Sequence, residues 1–262
     1  ISKSILEASV KTGVKGTEIA QGVQLLAQAG FKNPVELSNV AGLLAKTQLA
    51  PTFGSVEETV DGLIAIFGQF NKELSDTGQI FDLVNKFAAD FAVESRDIFE
   101  AVKRGGSTFA IAGGSLEEFV ELMSVLRSAT RESAGTLGTF FKTGVARMLR
   151  PESQALMSRL GVGEGTITEQ LMQLSPIFQG LGRAEKFSVA DQLVGVRQIN
   201  RLMKILEALA DPAIVGQLQQ ARRGVTGSVD RMAAQRLDDM GNALQRVREE
   251  FQKFITEVVH DE

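Results

Sequence analysis

Residues 115–126 read Ser-Leu-Glu-Glu-Phe-Val-Glu-Leu-Met-Ser-Val-Leu. Ser115 stands three positions ahead of Glu118, the spacing of a capping box. In that arrangement the Ser oxygen and the Glu carboxylate satisfy amides that a helix start would otherwise orphan. Phe119, Leu122, Met123 and Leu126 follow in steps of three, one and three, which places them on one face of a helix. The signature recurs at Ser55 with Glu58, and at Thr166 with Glu169 ahead of Leu171 and Leu174. Between these starts, Asn33-Pro34, Ala50-Pro51, Arg150-Pro151 and Gly161-Val162-Gly163 mark breaks. No stretch sustains a period-two alternation rich in β-branched residues. The expectation is an all-α fold: a multi-helix bundle of short capped helices, then a longer amphipathic C-terminal helix with coiled-coil character.

Composition agrees. Tyr, Trp and Cys are absent, sixteen Phe supply every aromatic ring, and only five Pro occur in 262 residues. An apolar fraction of 44% with 23% charged residues suits a folded chain with a sizeable core. Without cysteine there is no disulfide, thiol nucleophile or thiolate metal site. A formal charge of −4 offers no electrostatic basis for binding duplex DNA, so no sequence-specific nucleic-acid partner is expected. No apolar run approaches the ~18 residues of a membrane span. The chain opens on Ile1 rather than Met, with no signal-peptide pattern, which leads us to expect an internal piece of something longer.

Val14 to Ile19 and Val93 to Ile98 resemble each other at an offset of 93 − 14 = 79, and lead to Val23 and Val102 at equivalent places. The Ser55 and Ser115 boxes lie 115 − 55 = 60 apart, so the two copies differ by 79 − 60 = 19 residues, about a helix with its loop. A degenerate duplication is therefore expected within a core domain of residues 1–165, followed by a helical extension over 166–211. Asp211-Pro212 opens the last part, 212–262. There Leu237, Met240, Leu244, Val247, Phe251, Phe254 and Val258 step three-four-three-four, a heptad seam flanked by charged residues. Two readings remain open: a helix packed on its own domain, or an oligomer seam. In the second, the bulky Phe251 and Phe254 favour three or more strands over two.

Chemistry-bearing residues find plainer explanations. His260 has no second His or Cys to converge with. The clusters Gly105-Gly106, Gly113-Gly114 and Gly161 to Gly165 lack the Gly-Lys-Ser/Thr sequel and strand context of a phosphate loop, and read as helix caps and joints. Glu57/Glu58 and Glu117/Glu118 read as first-turn acids. Arg222, Arg223, Arg231 and Arg236 interleave with Asp230, Asp238 and Asp239, as on a solvated helix face. No catalytic, cofactor-binding or metal site is expected.

The stretch Gln79 to Val162 resembles the core of the phage tail tape measure family. It carries, in order, Ala92 to Val102 (small-x-x-Ser-x-acid-apolar), the Ser115 to Glu118 box, and the small-residue segment Gly135 to Thr143. The basic run Arg147 to Pro151 and Leu160-Gly161-Val162 come after them. Gly16 to Phe31 and Gly54 to Asn71 are similar to the family's preceding helices, so the resemblance covers about residues 1–210. Arg104 to Ala112, with Gly105-Gly106, departs from a region often richer in alanine.

The resemblance implies a structural virion component without cofactor. Such chains run inside the tail tube in several copies, most often three, set its length during assembly in the host cytoplasm, and leave before or with the DNA. It further implies self-association as a trimer, contacts with tail-tube, tail-tip and baseplate proteins, and contact with the host envelope at infection. A helix rises ~1.5 Å per residue, so this chain fully extended would measure at most about 400 Å. The punctuated helices of residues 1–210 predict a folded-back body instead, with the seam helix as the rod. Competing readings are a helical adaptor that oligomerises through that helix, or a membrane-inserting segment around Gly135 to Val145. A peptidoglycan-cleaving module is disfavoured by the missing Cys and the lone His.

Overall fold

The computed structural model describes the backbone of residues 1–260 and the side chains of residues 1–250. Among the described residues fourteen α-helices succeed one another: α1 (Ser2–Thr12), α2 (Gly16–Gln28), α3 (Pro34–Thr47), α4 (Val56–Phe70), α5 (Thr77–Asp90), α6 (Ser95–Ile111), α7 (Leu116–Thr130), α8 (Ala134–Met148), α9 (Pro151–Arg159), α10 (Ile167–Gly180), α11 (Arg183–Val194), α12 (Ile199–Ala210), α13 (Pro212–Arg223) and α14 (Ser228–His260). The described residues contain no strand.

Local chemistry sets the starts. All three expected capping boxes form: Ser55, Ser115 and Thr166 each accept from the amide of the Glu three residues on, whose carboxylate accepts from the cap residue's own amide. Pro34, Pro151 and Pro212 occupy first-turn positions, where a missing N–H costs nothing.

Neighbouring helices pack into two rows. α1, α3, α5, α7 and α12 adjoin in one row; α2, α4, α6, α8 and α11 adjoin in the other. Each short helix buries one face against the facing row and a flank against its row neighbour, as in stacked helical-hairpin arrays. The body is therefore folded back, as its breaks predict, with a continuous apolar core from Ile19 on α2 to Val229 on α14. In this order α1–α4 and α5–α8 occupy equivalent positions. The counterpart of Ser55, which caps α4, is Ser133, which caps α8 at an offset of 133 − 55 = 78, beside the 79 that separate the starts of α2 and α6. Ser115 caps α7, the counterpart of α3, so its pairing with Ser55 and the 19-residue difference drawn from it are corrected.

The tightest crossing, α6 on α8, corrects the reading of Gly105-Gly106 as a cap or joint. Both lie inside α6 and are buried. A Cβ on Gly105 would sit 2.6 Å from the Gly138 carbonyl oxygen of α8, and one on Gly138 would sit 3.0 Å from the Ala101 Cα of α6. The backbones meet because no side chain stands between them. Gly106 turns toward α4, where the Gln69 amide accepts from the Ser107 N–H at 2.8 Å and donates to the Lys103 carbonyl at 3.3 Å. Gly113 and Gly161, by contrast, take left-handed φ of +81° and +88° at helix ends, as caps require.

α13 and α14 turn back along the first row: α13 lies on α12 and α5, α14 on α5 and α3. At 33 residues α14 is the longest helix, about 50 Å by its rise per residue.

Candidate functional site: the root of the long helix

α14 begins on Gly227 (φ +71°), a residue with no side-chain oxygen to cap the helix. Asp82 of α5 does so from 145 residues away. Its two carboxylate oxygens accept from Gly227 N at 2.6 Å and Val229 N at 2.9 Å, while the Ser228 hydroxyl donates to the Asp82 backbone carbonyl at 2.7 Å. A carboxylate at this helix end also meets the positive pole of the helix dipole. Buried Asn85 extends the network, donating to Ser228 Oγ at 3.1 Å and accepting from Thr52 Oγ1 at 2.6 Å. Lys46 on α3 pairs with Asp230 at 2.7 Å. The Arg231 guanidinium donates back to the Thr226 and Gly224 carbonyls, bracing the turn before the helix.

α13 is held in the same manner. Gln217 donates to the Asp90 carbonyl, and Arg222 binds Glu121 of α7 through two nitrogens. Arg222 is exposed, as the charges of its segment suggest in sequence, yet its guanidinium serves Glu121, whose side chain is only 7% exposed. A buried carboxylate without its cation would be strongly destabilising, so the pair fixes where α13 lies. The hydrogen bond to Glu121 outweighs burial and raises the Arg222 pKa above its ordinary value. Because the folded value lies above the unfolded one, the contribution is whole below the ordinary guanidinium range and fades only as pH rises through the folded value. Arg223 and Arg236 are exposed.

The seam residues divide by depth. Val229 and Ala233, eight and four residues before its first member Leu237, are buried against the body. Leu237 is half-buried and lines a groove of about 530 Å³ between α1, α3 and α14, together with Leu49, Gly42 and Ala8. Beyond it Met240, Leu244 and Val247 are 43%, 70% and 63% exposed. The side chains of Phe251, Phe254, Val258 and His260 lie outside the described residues. The body thus covers the first turns of the stripe and leaves Met240 to Val247 bare.

The remaining candidates serve the architecture. Glu58 and Glu118 close capping boxes, and Glu118 also accepts from the Thr166 hydroxyl at 2.8 Å. Phe140, Phe141 and Val145, from the segment considered for membrane insertion, are buried in the core. Among the described residues no helix is long and apolar enough to cross a membrane, and no group of three or more His, Cys, Asp or Glu could hold a metal ion. The Asp82 cap and the Glu121–Arg222 pair escaped sequence reasoning, since partners 145 and 101 residues apart leave no local pattern.

Residues 2–195 match the family described as "Phage-related minor tail protein". The chain is 25% identical over 258 residues to the "Tape measure protein" of Pneumococcus phage Dp-1, covering 92% of this chain and 22% of that protein. It therefore spans about a fifth of that relative's length. No solved structure matches.

Proposed function

The chain belongs to the phage-related minor tail protein family, with a structural part in a phage tail among other tail components, and from that premise we propose that it is one folded station of a tape measure. The body of α1–α12 contributes little length. α14 supplies the rod, and its seam joins copies of the chain, three being the number that Phe251 and Phe254 accommodate. Tail length then follows from rods of this kind, and the assembly leaves the tube before or with the DNA. We read residues 1–165, 166–211 and 212–262 as core, extension and rod-bearing arm, with the equivalence of α1–α4 and α5–α8 as a duplication. The observation that carries this reading is the bare stripe from Met240 to Val247, three large apolar residues in heptad register on a helix rooted in the core.

Two measurements test it. In sedimentation equilibrium the chain is expected to form a trimer, and Leu244→Glu with Val247→Glu to yield monomer; a wild-type chain monomeric at high concentration counts against the seam. In the full-length protein, eight added heptads after Val247 keep the stripe in phase and should lengthen the assembled tail by about 84 Å at 1.5 Å per residue. An unchanged tail would remove α14 from the ruler.

A further inference from the structure

α14 lacks a cap of its own, and the arm that carries it buries few large apolar side chains while making several polar ties to the body. From these two features we propose that α13–α14 is a detachable strap whose long helix is completed only when docked. Asp82 is the residue that couples the two events. This goes beyond the tape measure reading and stands whether or not the seam pairs.

The first turn of a helix leaves amides without intrahelical partners, and a side-chain oxygen on one of them is worth about 1 kcal/mol. Gly227 offers none, so the Gly227 and Val229 amides depend on Asp82, a residue of α5. When the arm leaves α5, these amides lose their acceptor, and the first two turns, residues 228–236, lose what nucleates them. Docking and helix growth therefore favour each other.

The contacts between arm and body suit release. Among its described apolar residues the arm buries only Leu218, Ala221, Val229 and Ala233, two of them alanines, and half-buries Ile214, Val225 and Leu237. Its remaining ties are directional: Arg222 to Glu121, Gln217 to the Asp90 carbonyl, Lys46 to Asp230, and the Asp82–Ser228–Asn85 network. Compare α6, α7 and α8, which meet through Phe109, Phe119, Phe140 and Phe141, all at most 1% exposed. Apolar area sets the order in which elements open, so the arm should open first. Its boundary with the body is already a break, at Asp211-Pro212, and its two helices are joined by a second one, Gly224 to Gly227.

Hydrogen exchange on the whole chain tests this. Asp82→Ala should accelerate exchange at residues 228–236 about tenfold, the change expected of a lost cap. Amides of α4, α6 and α8 should keep their wild-type rates. Asp82→Asn, which retains one accepting oxygen, should fall between. Unchanged exchange at 228–236 would show that Asp82 does not complete the helix, and equal acceleration in α6 and α8 would show that arm and body open as one; either overturns the proposal. If Asp82→Ala does not fold, the wild-type chain decides. In rising urea its arm amides must open before those of α6 and α8, and a shared transition refutes the strap.

Discussion

Gly105→Ala is expected to destabilise the chain by about 3 kcal/mol, lowering Tm by about 6–12 °C for a protein of this size. The added Cβ would lie 2.6 Å from both the Gly138 carbonyl oxygen and Phe141 Cβ, with Lys142 N at 3.2 Å. Two of these three neighbours are backbone, which cannot rotate away, so α6 and α8 must separate along their whole crossing. Alanine is the better helix former by roughly 1 kcal/mol, and that gain acts in the opposite direction. Separating the two effects requires a control. Gly42 in α3 and Gly68 in α4 have no neighbouring atom within 4 Å of a built Cβ. Alanine at either should therefore stabilise by about 0.5–1 kcal/mol. Thermal unfolding of the three variants side by side reads out the sign. If Gly105→Ala also stabilises, the close crossing is not what holds these helices in place.

Phe119→Ala should cost about 4 kcal/mol, read as a lower urea midpoint at unchanged slope. Phe119 is fully buried, with ring centroids 4.6 Å from Phe141, 5.3 Å from Phe109 and 5.8 Å from Phe70. Those partners come from α8, α6 and α4, so one ring of α7 ties its own row to three helices of the other. Truncation removes the transfer free energy of a benzyl group and leaves a cavity whose walls are rings, which relax poorly. Edge-to-face contacts with Phe109 and Phe70 are lost as well. Phe187 on α11 offers the comparison: it is 54% exposed, and its replacement by alanine should change stability by no more than about 0.5 kcal/mol. A small effect at Phe119 would mean that the ring cluster is not the keystone of the two rows.

The legibility of these features followed their range. Ser55, Ser115 and Thr166 announce helix starts because box and helix lie within four residues of each other. The spacing of Phe119, Leu122, Met123 and Leu126 likewise reports a face that is in fact buried. Gly105-Gly106 misleads because a helix-interior glycine looks the same in sequence whether it ends a helix or admits a neighbour. What distinguishes the two is Gly138, 33 residues on. Arg222 reads as solvated and is exposed, but its charged segment carries no sign of its partner Glu121, 101 residues earlier on α7. At the root of α14 the seam was visible in the heptads, but the carboxylate that starts the helix was not, since nothing near Gly227 hints that a cap arrives from Asp82.

That carboxylate also sets an angle. A helix turns about 100° per residue, so anchoring Gly227 and Val229 on Asp82 decides the compass bearing of every later side chain. Val229 and Ala233 point at the body, and the heptad step carries the same bearing outward to Met240, Leu244 and Val247. The bare stripe therefore looks out over the groove between α1 and α3, and whatever lies along it must approach from that side. One residue inserted between Ala233 and Leu237 would swing the stripe by about 100° while leaving its composition intact. A whole heptad would restore the bearing and move it only outward. Asp82 thus works as an index mark, from which the orientation of everything attached to the helix is counted.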